Sequence, residues 1–243
     1  MKKEHTQILY YADMATQQIA EELREEAMAM MEAGFLISAT PLLEAQQILY
    51  RGPTMWQETD YPRHHALIQG WREYSNTLFM SKYYPYIKDL TIPTFFTTEL
   101  GEATEREIRR RDWDGAFVKN DVSAIVQQGR TRTVWPDSSF DEITAMFRRL
   151  PKTDMYAVRQ RINMRLCKEE RYWILNHQAY HRTGIIPDIV NKAVQRLRPI
   201  GSHYYVIDAT PDFIVEVNPG ESSDRYIENS VTTFADWFKQ AFL

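Results

Sequence analysis

The sequence predicts a three-lobed chain of mixed α/β and α+β class. Three observations carry that expectation. Strand and helix patterns alternate through the first fifty or so residues, as in a small α/β lobe with a parallel sheet. Short strands and helices then mix without that alternation, the pattern of an α+β lobe. A hairpin over residues 204–220 marks a second α+β lobe. The lobes are placed at residues 1–77, 78–154 and 155–243.

In the first lobe, residues 7–11 read as a short buried strand. Thr16 is placed as the N-cap of a helix over 17–33, where Ile19, Leu23, Met30 and Met31 recur at roughly helical spacing, and Gly34 stops it. Residues 35–38 are the next strand, 41–45 a short helical turn, and 47–50 the third strand. Arg51 follows directly. In open α/β sheets the carboxyl ends of the strands form the ligand edge, so Arg51 is a candidate substrate-anion contact. Residues 64–74 predict a helix, and Asn76 or Thr77 caps a second one that runs to residue 90 and carries Lys82. His64 and His65 project to different helix faces, unlike the i, i+4 pairs that bind metals. They read as surface or packing residues.

A strand over 92–97, a charged helix over 103–111 and a strand over 115–119 ending in Lys119 follow. Further strands are expected over 122–126 and 131–134. An amphipathic helix over 140–150, capped by Ser138 or Ser139, buries Phe140, Ile143, Met146, Phe147 and Leu150. The last lobe has a strand over 155–162 and one or two strands within 164–176. A helix follows over 186–197 with Pro187 in its first turn, then the hairpin, then short helices over 223–229 and 231–242.

Composition narrows the function. At 243 residues the chain is long enough for a sizeable core. A net charge of −4 gives no broad attraction for nucleic acid, and no nucleic-acid partner is expected. The single cysteine, Cys167, excludes an internal disulfide and a cysteine-based zinc site, and it fits a reducing compartment. The first residues lack the apolar core of a signal peptide, and no run approaches ~18 apolar residues, so neither secretion nor a membrane span is expected. The expected location is cytoplasmic.

The hairpin carries the chemistry. Asp208 closes its first strand. Glu216 and Asn218 share a face of the second, because residues two apart in a strand point the same way. The antiparallel return can bring Asp208 opposite them. Two carboxylates and an amide oxygen suit a hard cation that leaves room for phosphate oxygens. On these residues alone, an ordinary hairpin with Asp and Asn as turn residues fits as well.

The order of these features resembles the ATP-grasp superfamily over most of the chain. A lysine-bearing helix precedes Ile92-Pro93, a lid strand ends in Phe117-Val-Lys119, and the C-terminal lobe ends in Asp208 and then Glu216-Val-Asn-Pro219. Leu49-Tyr-Arg-Gly52, the Tyr-rich helix with Lys82, and Glu169-Glu-Arg171 resemble more narrowly a compact clade named for one arginine and two lysines. The resemblance implies three lobes enclosing a nucleotide site, with ATP and Mg2+ as cofactors. Lys82 and Lys119 would contact phosphates, and Asp208, Glu216 and Asn218 would hold magnesium. The segment Arg159, Gln160, Arg161, Ile162 would meet the adenine edge, and Glu169 or Glu170 the ribose or metal region. Arg171, with Lys119, would act on the γ-phosphate or acyl-phosphate. Arg51, Arg171 and Arg182 would help bind an acidic substrate. The implied activity is ATP-dependent joining of a carboxylate to an amine, on an amino acid, peptide or protein. Another phosphotransferase on the same scaffold and a non-catalytic nucleotide-binding module stay open. Two departures bear on the nucleotide: residues 120–130 lack a glycine-rich phosphate loop, and Arg159, Gln160 and Arg161 stand where many relatives carry an acidic residue.

Overall fold

Among the described residues, three sheets divide the strands. The structure, a computed structural model, describes residues 5–13, 15–122, 133–134, 137–149, 153–163, 167–224 and 230–243. The first sheet is parallel, with β1 (Thr6–Tyr10) between β2 (Leu36–Ser38) and β3 (Gln47–Arg51). β1 is buried along its whole length, as a central parallel strand covered on both faces must be. Its alternate residues divide between two cores. Ile8 and Tyr10 pack with Met30 of α1 (Arg24–Ala33) and with Phe234 and Phe238 of α7 (Val231–Phe242). Leu9 joins Ile48, Tyr50, Tyr74 and Leu78, the last two from α2 (Trp71–Leu78).

The second sheet is antiparallel, in the order β4 (Thr94–Thr97), β7 (Tyr156–Gln160), β5 (Ala116–Asn120), β6 (Thr133–Val134). Val118 and Val158 pack under Ile108 of α4 (Glu102–Arg110) and under Ile143 and Phe147 of α5 (Phe140–Arg149). Strand β7, assigned to the third lobe from sequence, is thus an interior strand of the second sheet; a strand pattern does not reveal its pairing partner. The third sheet, also antiparallel, runs β11 (Ile214–Pro219), β10 (Tyr204–Ala209), β8 (Glu170–Leu175), β9 (Gln178–Tyr180). One face packs on α3 (Met80–Ile87) and α6 (Asp188–Leu197) through Ile174, Tyr205, Ile207 and Val217. The other gives Trp173, Tyr204 and Val206 to the core that β1 and α7 share.

Several local expectations change. The helix expected over 17–33 starts only after a single 3-10 turn at Glu21–Leu23. Thr16 is no helix cap: the Asp13 carboxylate accepts from the backbone N–H of Ala15 and Thr16, and Gln17 has φ +56°, so a tight local turn wins. Gly34 does end the helix, at φ +109°. Residues 41–45 form a turn without helix, and the helix expected over 64–74 begins only at Trp71. Asn76 and Thr77 therefore lie inside α2, and Phe79 separates it from α3. Ser139 does cap α5: its Oγ accepts from Glu142 N at 3.2 Å, and its own N–H donates to Glu142 Oε2 at 2.7 Å. Most of the strand expected over 122–126, Leu150, residues 164–166 and most of the helix expected over 223–229 lie outside the described residues. Among the described residues, no helix is long and apolar enough to cross a membrane.

Candidate functional site

The hairpin of β10 and β11 pairs in the register that the site needs. Asp208 stands opposite Glu216, and on its other side opposite Arg171 of β8. Directly paired residues share a sheet face, so one row crosses three strands with the charges Arg171, Asp208, Glu216. Arg171 donates Nε to Asp208 Oδ1 and Nη2 to Oδ2, both at 2.7 Å. Lys119, from β5 of the second sheet, extends the row across the gap between sheets, with Nζ 2.5 Å from Glu216 Oε1. Asn218 completes the group: its Nδ2 donates to Asp208 Oδ2 and Glu216 Oε2, both at 3.3 Å.

Beside this row lies a cavity of about 370 Å³ between the second and third sheets. Lys119, Arg159, Gln160, Arg161, Glu169 and Glu216 supply its polar groups, and Ile92, Phe117, Ile162 and Val215 its apolar walls. Apolar walls with convergent charged groups are the usual form of a small-molecule site, and here the charged share is high. Ile92, Phe117 and Val215 were not singled out from sequence as site residues. Facing apolar walls from strands of different sheets leave no local spacing signal.

Burial sets the electrostatics. It pushes the Asp208 carboxyl up, against the opposing pull of Arg171. Glu169 is raised first by burial and then by the negative charges of Asp208 and Glu216. Arg159 is buried and its pKa lowered by that burial. Its Nη2 donates to Val215 O at 2.9 Å, whereas its Nε has no partner among the described residues.

Lys82 sits apart from the cavity lining, in the first turn of α3. Its Nζ donates to Ser75 Oγ at 2.7 Å and lies 5.2 Å from the Phe79 ring centre. Arg182 is exposed just beyond β9. Arg51 is a correction. It is buried rather than open to a substrate, and its donors are spent inside the protein. Nε and Nη2 bind both oxygens of Glu26 at 2.8 and 2.7 Å, while Nη1 donates to the carbonyls of Gly220, Glu221 and Ser223. Its strand-end position is as expected, but the residues after β11 cover that end of the sheet.

The donors suit a cation. Among the described residues no three His, Cys, Asp or Glu side chains are grouped to hold a metal ion. The candidate set is two carboxylates and one amide, and hard cations that keep phosphate or water ligands need no more from the protein. Asn218 Oδ1 is buried without a partner among the described residues.

No protein-family model and no curated protein sequence matches the chain. Solved structures do. The D-cycloserine synthetase DcsG superposes with a TM-score of 0.66 at 13% identity, over 97% of this chain and 99% of that one. The macrocyclase MdnC from Microcystis aeruginosa MRC, bound with precursor peptide MdnA, gives 0.62 at 12% identity, over 96% and 99%. The ATP-grasp ligase PsnB, complexed with a minimal precursor, Mg and ADP, gives 0.62 at 9% identity, over 97% and 96%. The chain has the fold of these ATP-grasp ligases.

Proposed function

We propose that the chain is an ATP- and Mg2+-dependent carboxylate–amine ligase that works through an acyl-phosphate. The observation that supports this best is the row Arg171–Asp208–Glu216–Lys119 at the edge of the cavity between the second and third sheets. PsnB and MdnC are complexed with precursor peptides, and DcsG is a D-cycloserine synthetase. An amino acid or peptide substrate is therefore part of the proposal, as is membership of the clade named for one arginine and two lysines.

In this reading Ile92, Phe117, Ile162 and Val215 hold the base, with Gln160 and Arg161 at its edge and Glu169 toward the ribose. Lys119 leaves Glu216 to meet the phosphates, and Lys82 approaches from α3. Asp208, Glu216 and Asn218 hold magnesium, which when bound neutralises phosphate charge during transfer. Arg171 turns its fork, now spent on Asp208, toward the oxygens of the phosphorylated carboxylate. The amine then attacks the carbonyl carbon, and phosphate leaves. Arg182, exposed just beyond β9, is proposed to meet an acidic group of the substrate, whereas Arg51 serves the fold. The lobes drawn at 1–77, 78–154 and 155–243, with β7 moving as part of the second sheet, are proposed to close on the nucleotide.

The test is ADP release with ATP, Mg2+ and pooled amino acids or peptides, comparing the wild type with Glu216→Gln. Release that needs both an acceptor and Glu216 is expected. Failure of ATP and Mg2+ to raise the melting temperature of the wild type would sink the reading.

A further inference from the structure

Asp121, just past the end of β5, ties that strand to the helix that carries Lys82. It is buried, and its carboxylate accepts from Ser81 N at 2.6 Å and from Ser81 Oγ. Its carbonyl accepts from Met80 N at 2.8 Å, and its own N–H donates to Met155 O at 3.0 Å. A bridge between Phe79 and Val122 continues the joint. The start of α3 has no cap from its own neighbours, since Phe79 precedes it. Asp121, forty residues later in the chain, fills that role from just past the end of β5. Lys119 lies two positions before Asp121, and Lys82 directly follows Ser81. Burial pushes the Asp121 carboxyl up; its hydrogen bonds from Ser81, and after them the charges of Lys119 and Lys82, pull it down.

We propose that Asp121 is a positioning residue that locks Lys82 and Lys119 into a single anion-binding unit, by clamping the first turn of α3 to the end of β5. The proposal rests on the ligase reading for the identity of the anion, ATP, and on geometry alone for the clamp. Ser75 from α2, the Phe79 ring and Asp121 are the groups facing Lys82; burial lowers its pKa and Asp121 offsets this.

The experiment uses the full chain with 13C-dimethylated lysines, Lys82 being assigned through Lys82→Arg. In nucleotide-free protein Asp121→Asn, which keeps an acceptor for Ser81, is expected to lower the Lys82 titration midpoint by about half a unit or more, because an opposing charge is lost. Ser81→Ala keeps the carboxylate and is expected to leave that midpoint in place. Calorimetry with ATP–Mg2+ should show about tenfold weaker binding for Asp121→Asn and a smaller loss for Ser81→Ala. An unchanged Lys82 midpoint in Asp121→Asn, or ATP affinity within twofold of wild type in both variants, overturns the proposal. If Asp121→Asn does not fold, wild-type ATP affinity in Ser81→Ala overturns it and weakened affinity supports it. A wild type that binds no ATP overturns the ligase reading instead; the titration then decides whether the Asp121 charge faces Lys82, and an unchanged midpoint still overturns the proposal.

Discussion

Arg171 grips Asp208 with two parallel hydrogen bonds of 2.7 Å, from a position directly across the β8–β10 ladder. The aspartate side chain is almost fully buried and the arginine side chain only slightly exposed. Fork-on-carboxylate geometry is the strongest form that such a pair takes. Removing the arginine leaves a buried carboxylate with its main counter-charge gone, whereas removing both charges leaves nothing to compensate. Arg171→Met is therefore expected to cost about 3–5 kcal/mol of unfolding free energy. Arg171→Met with Asp208→Asn should cost less than the sum of the two single changes. Urea denaturation of all four proteins measures the coupling.

Arg51 is expected to behave as a structural residue. It holds Glu26 in a buried two-point pair and satisfies three carbonyls after β11. Arg51→Ala should cost about 3–5 kcal/mol, the figure for breaking a buried pair on one side. Arg51→Lys should recover little, because a point charge with three donors does not reproduce a planar fork. Arg182→Ala, at an exposed position, should stay within about 0.5 kcal/mol of wild type. Chemical denaturation midpoints separate these outcomes.

The contrast between Arg51 and Arg171 shows what was legible in the sequence. Both are strand arginines, and both were read as anion contacts. The sequence puts Arg51 directly after a strand and Arg171 in a charge run before one, whereas both lie within strands, and the i, i+2 rule puts Glu216 and Asn218 on one face. The pairing of Asp208 with Glu216 followed from the hairpin. Nothing local revealed that Glu26 and the carbonyls of residues 220–223 would consume Arg51, because those partners are 25 and about 170 residues away. The same holds for β7, whose pairing with β4 and β5 is long-range. The start of α1 was misread because Asp13 organises a turn that outcompetes an apparent helical pattern.

Glu221 gives the chain a pH-dependent stability. Burial pushes its carboxyl up to about 7, against the downward pull of its hydrogen bonds from Gln69 and Tyr61. Its Oε2 has no partner among the described residues. The ordinary glutamate value is 4.5. Between these values the unfolded chain loses the proton while the folded chain keeps it, so stability falls as pH rises from about 4.5 to about 7 and then levels. The contribution of this one group is on the order of 3 kcal/mol. Glu221→Gln keeps an acceptor for Tyr61 and Gln69 and removes the ionisation. Its stability relative to wild type should therefore rise across that window. Unfolding free energies of the two proteins at pH 5 and pH 8 check the sign, and a constant difference would rule out this assignment.

Asn218 tests the cation directly. It sits between Asp208 and Glu216, donates to both, and keeps Oδ1 buried without a partner among the described residues. Asn218→Asp replaces two donated hydrogen bonds with a third negative charge. Without a cation the variant should be less stable than wild type by about 2 kcal/mol, from like-charge repulsion and the cost of burying an unsatisfied ion. A divalent cation binding the folded state alone stabilises according to its concentration over its dissociation constant. A third carboxylate lowers that constant, so Mg2+ should raise the melting temperature of Asn218→Asp more than that of wild type, and EDTA should reverse the gain. Asn218→Leu removes both the bridge and the candidate ligand, and its melting temperature should not respond to Mg2+. Equal Mg2+ responses in all three proteins would place the cation away from this hairpin.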